Sequence, residues 1–273
     1  MKSIALGQYY PAQSILHRTD PRMKIVLTVL YIVCSFLSKN VLSFALLLLS
    51  AVVLIVLGRI PVKIVLRGLR PVLFVLAFTA ILNIFWTRGE RLLFGFSFIH
   101  VYVEGLYAAL FMMIRITTLI VGTSMLLTYT TTPIALTDAL EDLLFPLKKL
   151  HVPVHEFAMM MTIALRFIPL LVEETDKIMT AQKARGVDFS AGKLTDRARA
   201  LIPVLIPLFV SAFNRAGDLA TAMECRCYHG GEGRTRMHVL KLRFSDFLPL
   251  FGVLLLGTAL VLLNLAGIGY TMR

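Results

Sequence analysis

Two cysteines and a histidine alternate in the stretch ECRCYH, residues 224–229. Cysteine and histidine are zinc ligands, so Cys225, Cys227 and His229 can supply three of the four ligands of a tetrahedral zinc site. The other candidate ligand close in sequence is His238. One hypothesis is therefore a membrane metalloenzyme that uses these side chains. Alternation of period two suits an extended segment, however, and this stretch continues a helical pattern.

The arginine between the two cysteines offers a second hypothesis. AMECRC (residues 222–227) aligns with AQKARG (residues 181–186), and the two arginines, Arg226 and Arg185, are 41 residues apart. Each follows an amphipathic helical pattern and has small neighbours, so it can enter a groove and hold carboxylate or carbonyl oxygens through two parallel bonds. The pair predicts docking onto a partner with two related grooves. For each arginine alone, a cap that interacts with the helix dipole is the alternative.

Other signatures of membrane enzymes are missing from the sequence. There is no HExxH zinc pair, no GxSxG elbow and no GxxxxGK phosphate loop. GGEGRT (residues 230–235) lacks the lysine of such a loop. His151 and His155 have helical spacing next to Glu156, but Pro153 lies where that helix would have to be continuous. We predict no catalytic residue, bound metal or cofactor.

The composition requires a membrane. Of 273 residues, 58% are hydrophobic and the net charge is +12, which excludes an ordinary soluble domain and a disordered chain. Several apolar runs approach the ~20 residues that cross a bilayer. The basic residues lie mostly at the ends of these runs, which favours contact with lipid rather than nucleic acid. The five predicted spans are 25–37, 41–57, 71–86, 106–129 and 247–268.

Basic residues also predict the orientation. With the N-terminus inside, the short inner segments carry eight Lys or Arg residues and the outer segments four. The inner residues are Lys2, Arg18, Arg22, Lys24, Arg59, Lys63, Arg67 and Arg70, of which the last four are assigned to a loop. The outer residues are Lys39, Arg88, Arg91 and Arg273. We predict a membrane region 1–129 with four helices, a cytoplasmic region 130–245 and a last transmembrane helix in 246–273.

The predicted cytoplasmic region reads as three amphipathic helices in an all-α protein. The first follows TTTP, where Thr132 can cap, and reaches Pro146. The second runs from about Val154 to Arg185 and Gly186, with a bend at Pro169. The third runs from about Arg197 to Arg226, and Pro203 and Pro207 soften its first half.

Five fragments together carry a resemblance to a known family: LHRTDPR (16–22), TTTP (130–133), ALRFIP (164–169), AQKARG and AMECRCYHGG. With the intervening helices they resemble the transmembrane coupling subunit, the EcfT/CbiQ-like T component, of energy-coupling factor (ECF) ABC transporters. The resemblance covers nearly the whole chain.

The family resemblance implies an all-α membrane protein whose long coupling helices cross each other. Two short arginine motifs at the helix ends would bind two ABC-type ATPase subunits, which hold the ATP. Carried over, these docking residues are Ala184, Arg185, Gly186, Cys225, Arg226 and Cys227. The usual second motif has alanine, glycine or serine beside its arginine, where this chain has cysteines.

The resemblance also implies a separate substrate-binding membrane subunit, the S component, which captures a vitamin or a transition-metal ion. The protein would then be a non-catalytic scaffold in a prokaryotic plasma membrane, and its two different motifs would suit a heterodimer of ATPases. Candidate supporting residues are Glu224, Arg166, Pro169 and Arg115.

Arg115 lies within the fourth apolar run, where a charged residue is costly and has either a functional or a structural role. A third hypothesis is a self-sufficient secondary transporter. It requires intramembrane carboxylates or broken helices, whereas Arg115 is the one charge in a well-defined span.

Overall fold

The structure is a computed structural model that describes residues 9–87, 92–96, 99–189, 193–230, 240 and 242–266. The described α-helices are α1 Ile15–Arg18, α2 Pro21–Leu37, α3 Val41–Gly58, α4 Val62–Trp86, α5 Val103–Thr123, α6 Pro133–Leu144, α7 Val154–Ala184, α8 Leu194–Cys225 and α9 Phe247–Leu265. A two-stranded antiparallel hairpin, β1 Leu92–Phe96 and β2 Ile99–Tyr102, precedes α5. A bundle unit contains the described residues of 7–136 and 240–273, and a second unit contains those of 137–239, with most of α6, α7 and α8.

Six helical segments within the described residues are long and apolar enough to span a membrane. They are Val41–Gly58, Val62–Trp86, Val103–Thr128, Val154–Ala184, Thr195–Cys225 and Phe244–Leu265. Four of the five predicted spans are among them, and the prediction of an all-α polytopic membrane protein is confirmed, apart from the short β1–β2 hairpin. The first predicted span, 25–37, lies in α2, a helix of 17 residues that is about 25 Å long and thus shorter than the hydrocarbon core. The two longest segments are α7 and α8, whose predicted cytoplasmic location stays a prediction.

Some predicted boundaries were wrong. Residues 62–70 are not a loop, because α4 begins at Val62 and continues through Pro71. A proline removes one donor, and neighbouring groups in membrane bundles accommodate such an interruption. The helix predicted to reach Pro146 ends at Leu144 and continues as a 3₁₀-helix, Phe145–Leu150. The third amphipathic helix begins at Leu194, three residues before the predicted start, where the Lys193 N–H donates to the Asp196 carboxylate at 3.1 Å.

A close approach of α5 and α2 organises the core of the bundle unit. The Tyr31 side chain is 1% exposed, and its hydroxyl lies 3.3 Å from the Ser50 hydroxyl. A Cβ atom at Gly122 would lie 2.0 Å from the Tyr31 ring, so only glycine fits there. Directly afterwards the chain forms a π-helix, Ser124–Thr128, in which the Tyr129 N–H donates to the Ser124 carbonyl at 2.9 Å.

Arg115 has a structural role in this bundle. Its Nη2 donates to the Ser38 carbonyl at 2.6 Å, in the turn between α2 and α3. Its guanidinium carbon lies 5.2 Å from the centre of the Phe44 ring, which suits a cation–π contact. Of the two roles left open by the sequence, the structure therefore favours anchoring of the α2–α3 turn.

Candidate docking site

The end of α7 carries the first arginine motif. Ala184 is the last helical residue, Arg185 is the C-cap, and Gly186 has φ +88°, in the left-handed region. The Gly186 N–H donates to the Lys183 carbonyl at 3.0 Å and the Val187 N–H to the Gln182 carbonyl at 3.1 Å. This pair of bonds defines a Schellman motif, in which the residue after the C-cap adopts a conformation that favours glycine.

The end of α8 has the same cap. Arg226 is the C-cap, and Cys227 has φ +55°. The Cys227 N–H donates to the Glu224 carbonyl at 2.8 Å, and the Tyr228 N–H donates to the Met223 carbonyl at 3.0 Å. Both arginines therefore occupy the same position of the same backbone motif. The short sequence repeat corresponds to a repeat of local structure.

The two caps also share a pattern of exposure. The two three-residue motifs, residues 184–186 and 225–227, are exposed. The residue pair that closes each cap, Gln182 with Val187 and Met223 with Tyr228, is half-buried. Within the described residues neither guanidinium has an ion-pair or hydrogen-bond partner. In each cap, the residue pair that closes the cap is therefore partly packed, and the arginine is exposed without a partner among the described residues.

The cysteines of the second motif are not equivalent. Cys225 ends the helix with ordinary geometry, whereas Cys227 is one of the few non-glycine residues with positive φ. A left-handed residue with a Cβ costs roughly 1–2 kcal/mol. Position 227 corresponds to Gly186 of the first motif, and glycine is the residue that its conformation favours. Cysteine tolerates it at a cost in local stability.

The structure does not bring Cys225, Cys227 and His229 together as a metal site. The His229 Nδ1 donates to the Cys227 carbonyl at 2.9 Å, and the part of the chain that the structure describes contains no group of three metal-ligating side chains. His238 lies outside the described residues. His155 is 2.9 Å from a Glu141 oxygen, and His151 follows the 3₁₀-helix with φ +60°.

Helices α7 and α8 form an antiparallel pair that fixes the spacing of the two motifs. Gln182 donates through Nε2 to the Pro203 carbonyl at 3.3 Å, so Arg185 lies beside the first half of α8. Arg226 lies at the far end of the same helix. At 1.5 Å per residue, this placement separates the two arginines by about 35 Å.

Two interhelical interactions were not expected from the sequence. The Glu174 carboxylate accepts from Arg215 at 2.7 Å and from the Ser211 hydroxyl at 2.5 Å. The Pro203 carbonyl that binds Gln182 is free because Pro207, four residues later, has no N–H to donate to it. The i, i+4 spacing of Ser211 and Arg215 and of the two prolines was the available sequence signal.

The candidate supporting residues are dispersed. Glu224 contributes a backbone carbonyl to the second cap. Arg166 and Pro169 are exposed on α7, and Pro169 is about four turns before Arg185. Arg115 lies in the bundle unit. The structure therefore does not bring Arg166 and Pro169 into the arginine caps.

Comparison with known proteins decides the family. The model of the CbiQ family, described as cobalt transport protein, matches residues 12–239. The chain belongs to the CbiQ/EcfT family. Its similarity to curated members of the EcfT type extends over most of both chains.

Three EcfT relatives show how far the similarity reaches, and each is named energy-coupling factor transporter transmembrane protein EcfT. The protein from Ruminiclostridium cellulolyticum is 54% identical over 247 residues, 90% of this chain and 91% of its own. The protein from Thermosediminibacter oceani is 50% identical over 246 residues, 90% of this chain and 92% of its own. The protein from Bacillus subtilis is 46% identical over 264 residues, 97% and 99% of the two chains. The family resemblance read from the five sequence fragments is confirmed.

Proposed function

We propose that this CbiQ/EcfT-family protein is the non-catalytic transmembrane scaffold of an ECF-type ABC importer. It couples ATP hydrolysis by two associated ATPase subunits to reorientation of a substrate-binding membrane subunit. The observation that carries the proposal is the pair of matching Schellman caps, each of which presents an exposed arginine.

The caps suit the insertion of an arginine into a protein groove. A cap fixes the backbone on both sides of Arg185 and Arg226, so less conformational entropy is lost when a guanidinium binds. The planar guanidinium then recognises carboxylate or carbonyl oxygens through two bonds. Two equal caps on one helix pair, about 35 Å apart, match a dimer of ATPases that offers one groove per subunit.

The apolar surface of α7 and α8 suits the membrane partner. Large side chains are exposed along both helices, among them Phe157, Met160, Leu205, Phe209 and Phe213. The rings of Phe209 and Phe213 lie 4.8 Å apart on one face. A surface of this kind is stable in contact with lipid or another apolar protein rather than with water. The substrate-binding subunit is the partner that we assign to it.

In this proposal, the bonds between α7 and α8 determine which parts of the protein move together. ATP binding closes the ATPase dimer and shifts its grooves, and Arg185 and Arg226 transmit this displacement to α7 and α8. The Glu174–Arg215 pair holds the two helices together, so they respond as a pair. Prolines inside the helices, Pro169 in α7 and Pro203 in α8, allow small changes of axis without unfolding.

Substrate and nucleotide belong to other subunits in this proposal. The ATPases bind ATP, and a separate S component captures a vitamin or a transition-metal ion. The description of the matching family names cobalt transport, which agrees with the second class of substrate. The N-terminus and residues 130–245 lie on the cytoplasmic side of the plasma membrane, where the ATPases are.

Charge reversal at both arginines tests the proposal. In the Arg185→Glu/Arg226→Glu variant, a carboxylate would face groove oxygens, so we expect the ATPase subunits to be lost when the protein is affinity-purified from its own host. The Arg185→Gln/Arg226→Gln variant should also lose them, since it removes both charges without placing an acid at a helix C-terminus.

The matched control is Lys177→Glu, which reverses an exposed cation of α7 that has no partner among the described residues. This variant should retain both ATPases. The docking assignment is wrong if the double arginine variants, folded and inserted in the membrane, retain the ATPases as the unmodified protein does.

A further inference from the structure

The segment that carries α7 and α8 joins the bundle unit within α6, at residues 136–137, and again at residues 239–240. Thr130 lies seven residues before the first connection, and Leu240 is the first residue after the second. Any displacement of α7 and α8 that is carried along the chain reaches the bundle unit through these two connections. How much of this displacement reaches the bundle helices depends on how firmly the bundle unit holds the chain near these two connections.

Lys24 holds the chain near the first connection. This side chain is 2% exposed, and its Nζ donates to the Thr130 carbonyl at 2.8 Å and to the His17 carbonyl at 3.4 Å. Thr130 is itself 3% exposed and lies two residues after the π-helix Ser124–Thr128. A buried ammonium is costly unless it is hydrogen-bonded, so this contact is a specific one.

Arg22, half a turn before Lys24 on α2, holds the second connection. Its Nη2 donates to the Leu240 carbonyl at 2.7 Å. The Nε and Nη2 atoms of the same guanidinium each lie 3.3 Å from an oxygen of Asp20. The carboxylate therefore orients the guanidinium toward residue 240.

Asp246 completes the arrangement. It is 2% exposed and accepts from the Asp20 N–H at 3.3 Å and from the Arg243 N–H at 2.7 Å. Two acids and two bases, Asp20 and Asp246 with Arg22 and Lys24, thus lie at the N-terminal end of α2. Burying such charges is seldom needed for stability alone, since apolar replacements are often equally stable.

We propose that Lys24 and Arg22 form a clamp that fixes both connections to the N-terminus of α2, so that movement of α7 and α8 is delivered to the bundle unit. The proposal rests on the coupling function proposed above. It assigns to the TDPR part of the LHRTDPR fragment, and to Lys24 after it, a role in transmission. In this proposal they are positioning residues, which act through the chain segments that they hold.

Hydrogen exchange of the complex with its ATPases tests the clamp, with and without a non-hydrolysable ATP analogue. Lys24→Met and Arg22→Gln each remove one charged donor. Without nucleotide, exchange near residues 130 and 242–246 should rise about tenfold or more, as expected for the loss of a charge-assisted hydrogen bond. With the analogue, α7 and α8 should respond as in the unmodified complex, while the response of the bundle helices should disappear.

Arg22→Gln guards against misfolding, because Arg22 is 23% exposed and its replacement is milder than that of Lys24. Arg18→Gln, at an exposed arginine of α1 with no partner in the described chain, should change neither measurement. A bundle response that persists in both clamp variants overturns the clamp. An unmodified chain that neither retains the ATPases nor responds to the analogue overturns the coupling function itself.

Discussion

The residue after each arginine determines how the guanidinium is presented. Gly186 and Cys227 both adopt positive φ, which ends the helix and turns the chain back under the arginine. Glycine does this without steric cost, whereas a side chain does not. The two cysteines of CRC are consequently tolerated for different reasons. Cys225 needs only to be small, and Cys227 bears conformational strain.

Replacing the cysteines one at a time by glycine should therefore have opposite effects. Cys227→Gly relieves the left-handed strain and should stabilise the cap by about 0.5 kcal/mol, after the entropy cost of glycine. Cys225→Gly places glycine in helical geometry and should destabilise it by roughly 0.5–1 kcal/mol. Hydrogen exchange of the Tyr228 amide measures both changes. Equal effects of the two variants would contradict the strain at position 227.

The sequence predicts the C-terminal end of α7 well, and it predicts the geometry of the C-terminal cap of α8 less fully. Gly186 is a C-terminal signal, and α7 ends next to it as predicted. No rule for cysteine predicts a left-handed residue, so the cap at Cys227 could not be inferred from its own residues. Only the alignment of CRC with ARG carried that information.

At the scale of elements, the pairing of α7 with α8 positions both caps. The Glu174–Arg215 pair is partly buried, with side-chain exposures of 20% and 34%. The sequence could not reveal this pair, because the partners are 41 residues apart and meet only after the two helices pack together. The prediction of a loop at residues 59–70 was wrong for a related reason, namely that local sequence rules do not include tertiary packing. Pro71 is a breaker by local rules, and packing in the bundle overrides it.

Removing the arginine of this pair should loosen the two helices. Arg215→Met leaves Glu174 with the Ser211 hydroxyl as its described partner, and we expect a loss of about 1 kcal/mol, reduced by the partial exposure of the pair. Thermal unfolding of the purified protein and hydrogen exchange around residue 174 would measure it. Arg197→Met, at an exposed arginine of α8 without a partner in the described residues, should stay within about 0.5 kcal/mol. Similar losses in both variants would exclude a specific contribution of the pair.

For the molecule as a whole, composition is sufficient to predict the class of protein. The contacts that hold the connections between its two units can be found only in the structure. Apolar runs predicted four of the six long apolar helices as spans. The same measure does not separate α7 and α8 from spanning helices, since both are apolar and long. The network of Lys24 and Arg22 depends on contacts over 100 residues apart in sequence, which no local pattern contains.

The arginine caps are the proposed ATPase-binding sites, and the chain contains its own reporters for the second cap. Cys225 and Cys227 are exposed on either side of Arg226, whereas Cys34 is buried. The rate at which a maleimide reagent labels these thiols can be compared between the isolated protein and its complex with the ATPases. If Arg226 enters a groove, labelling of Cys225 and Cys227 slows several-fold in the complex and Cys34 stays unlabelled in both. Labelling at the same rate in both states would contradict docking of an ATPase at Arg226.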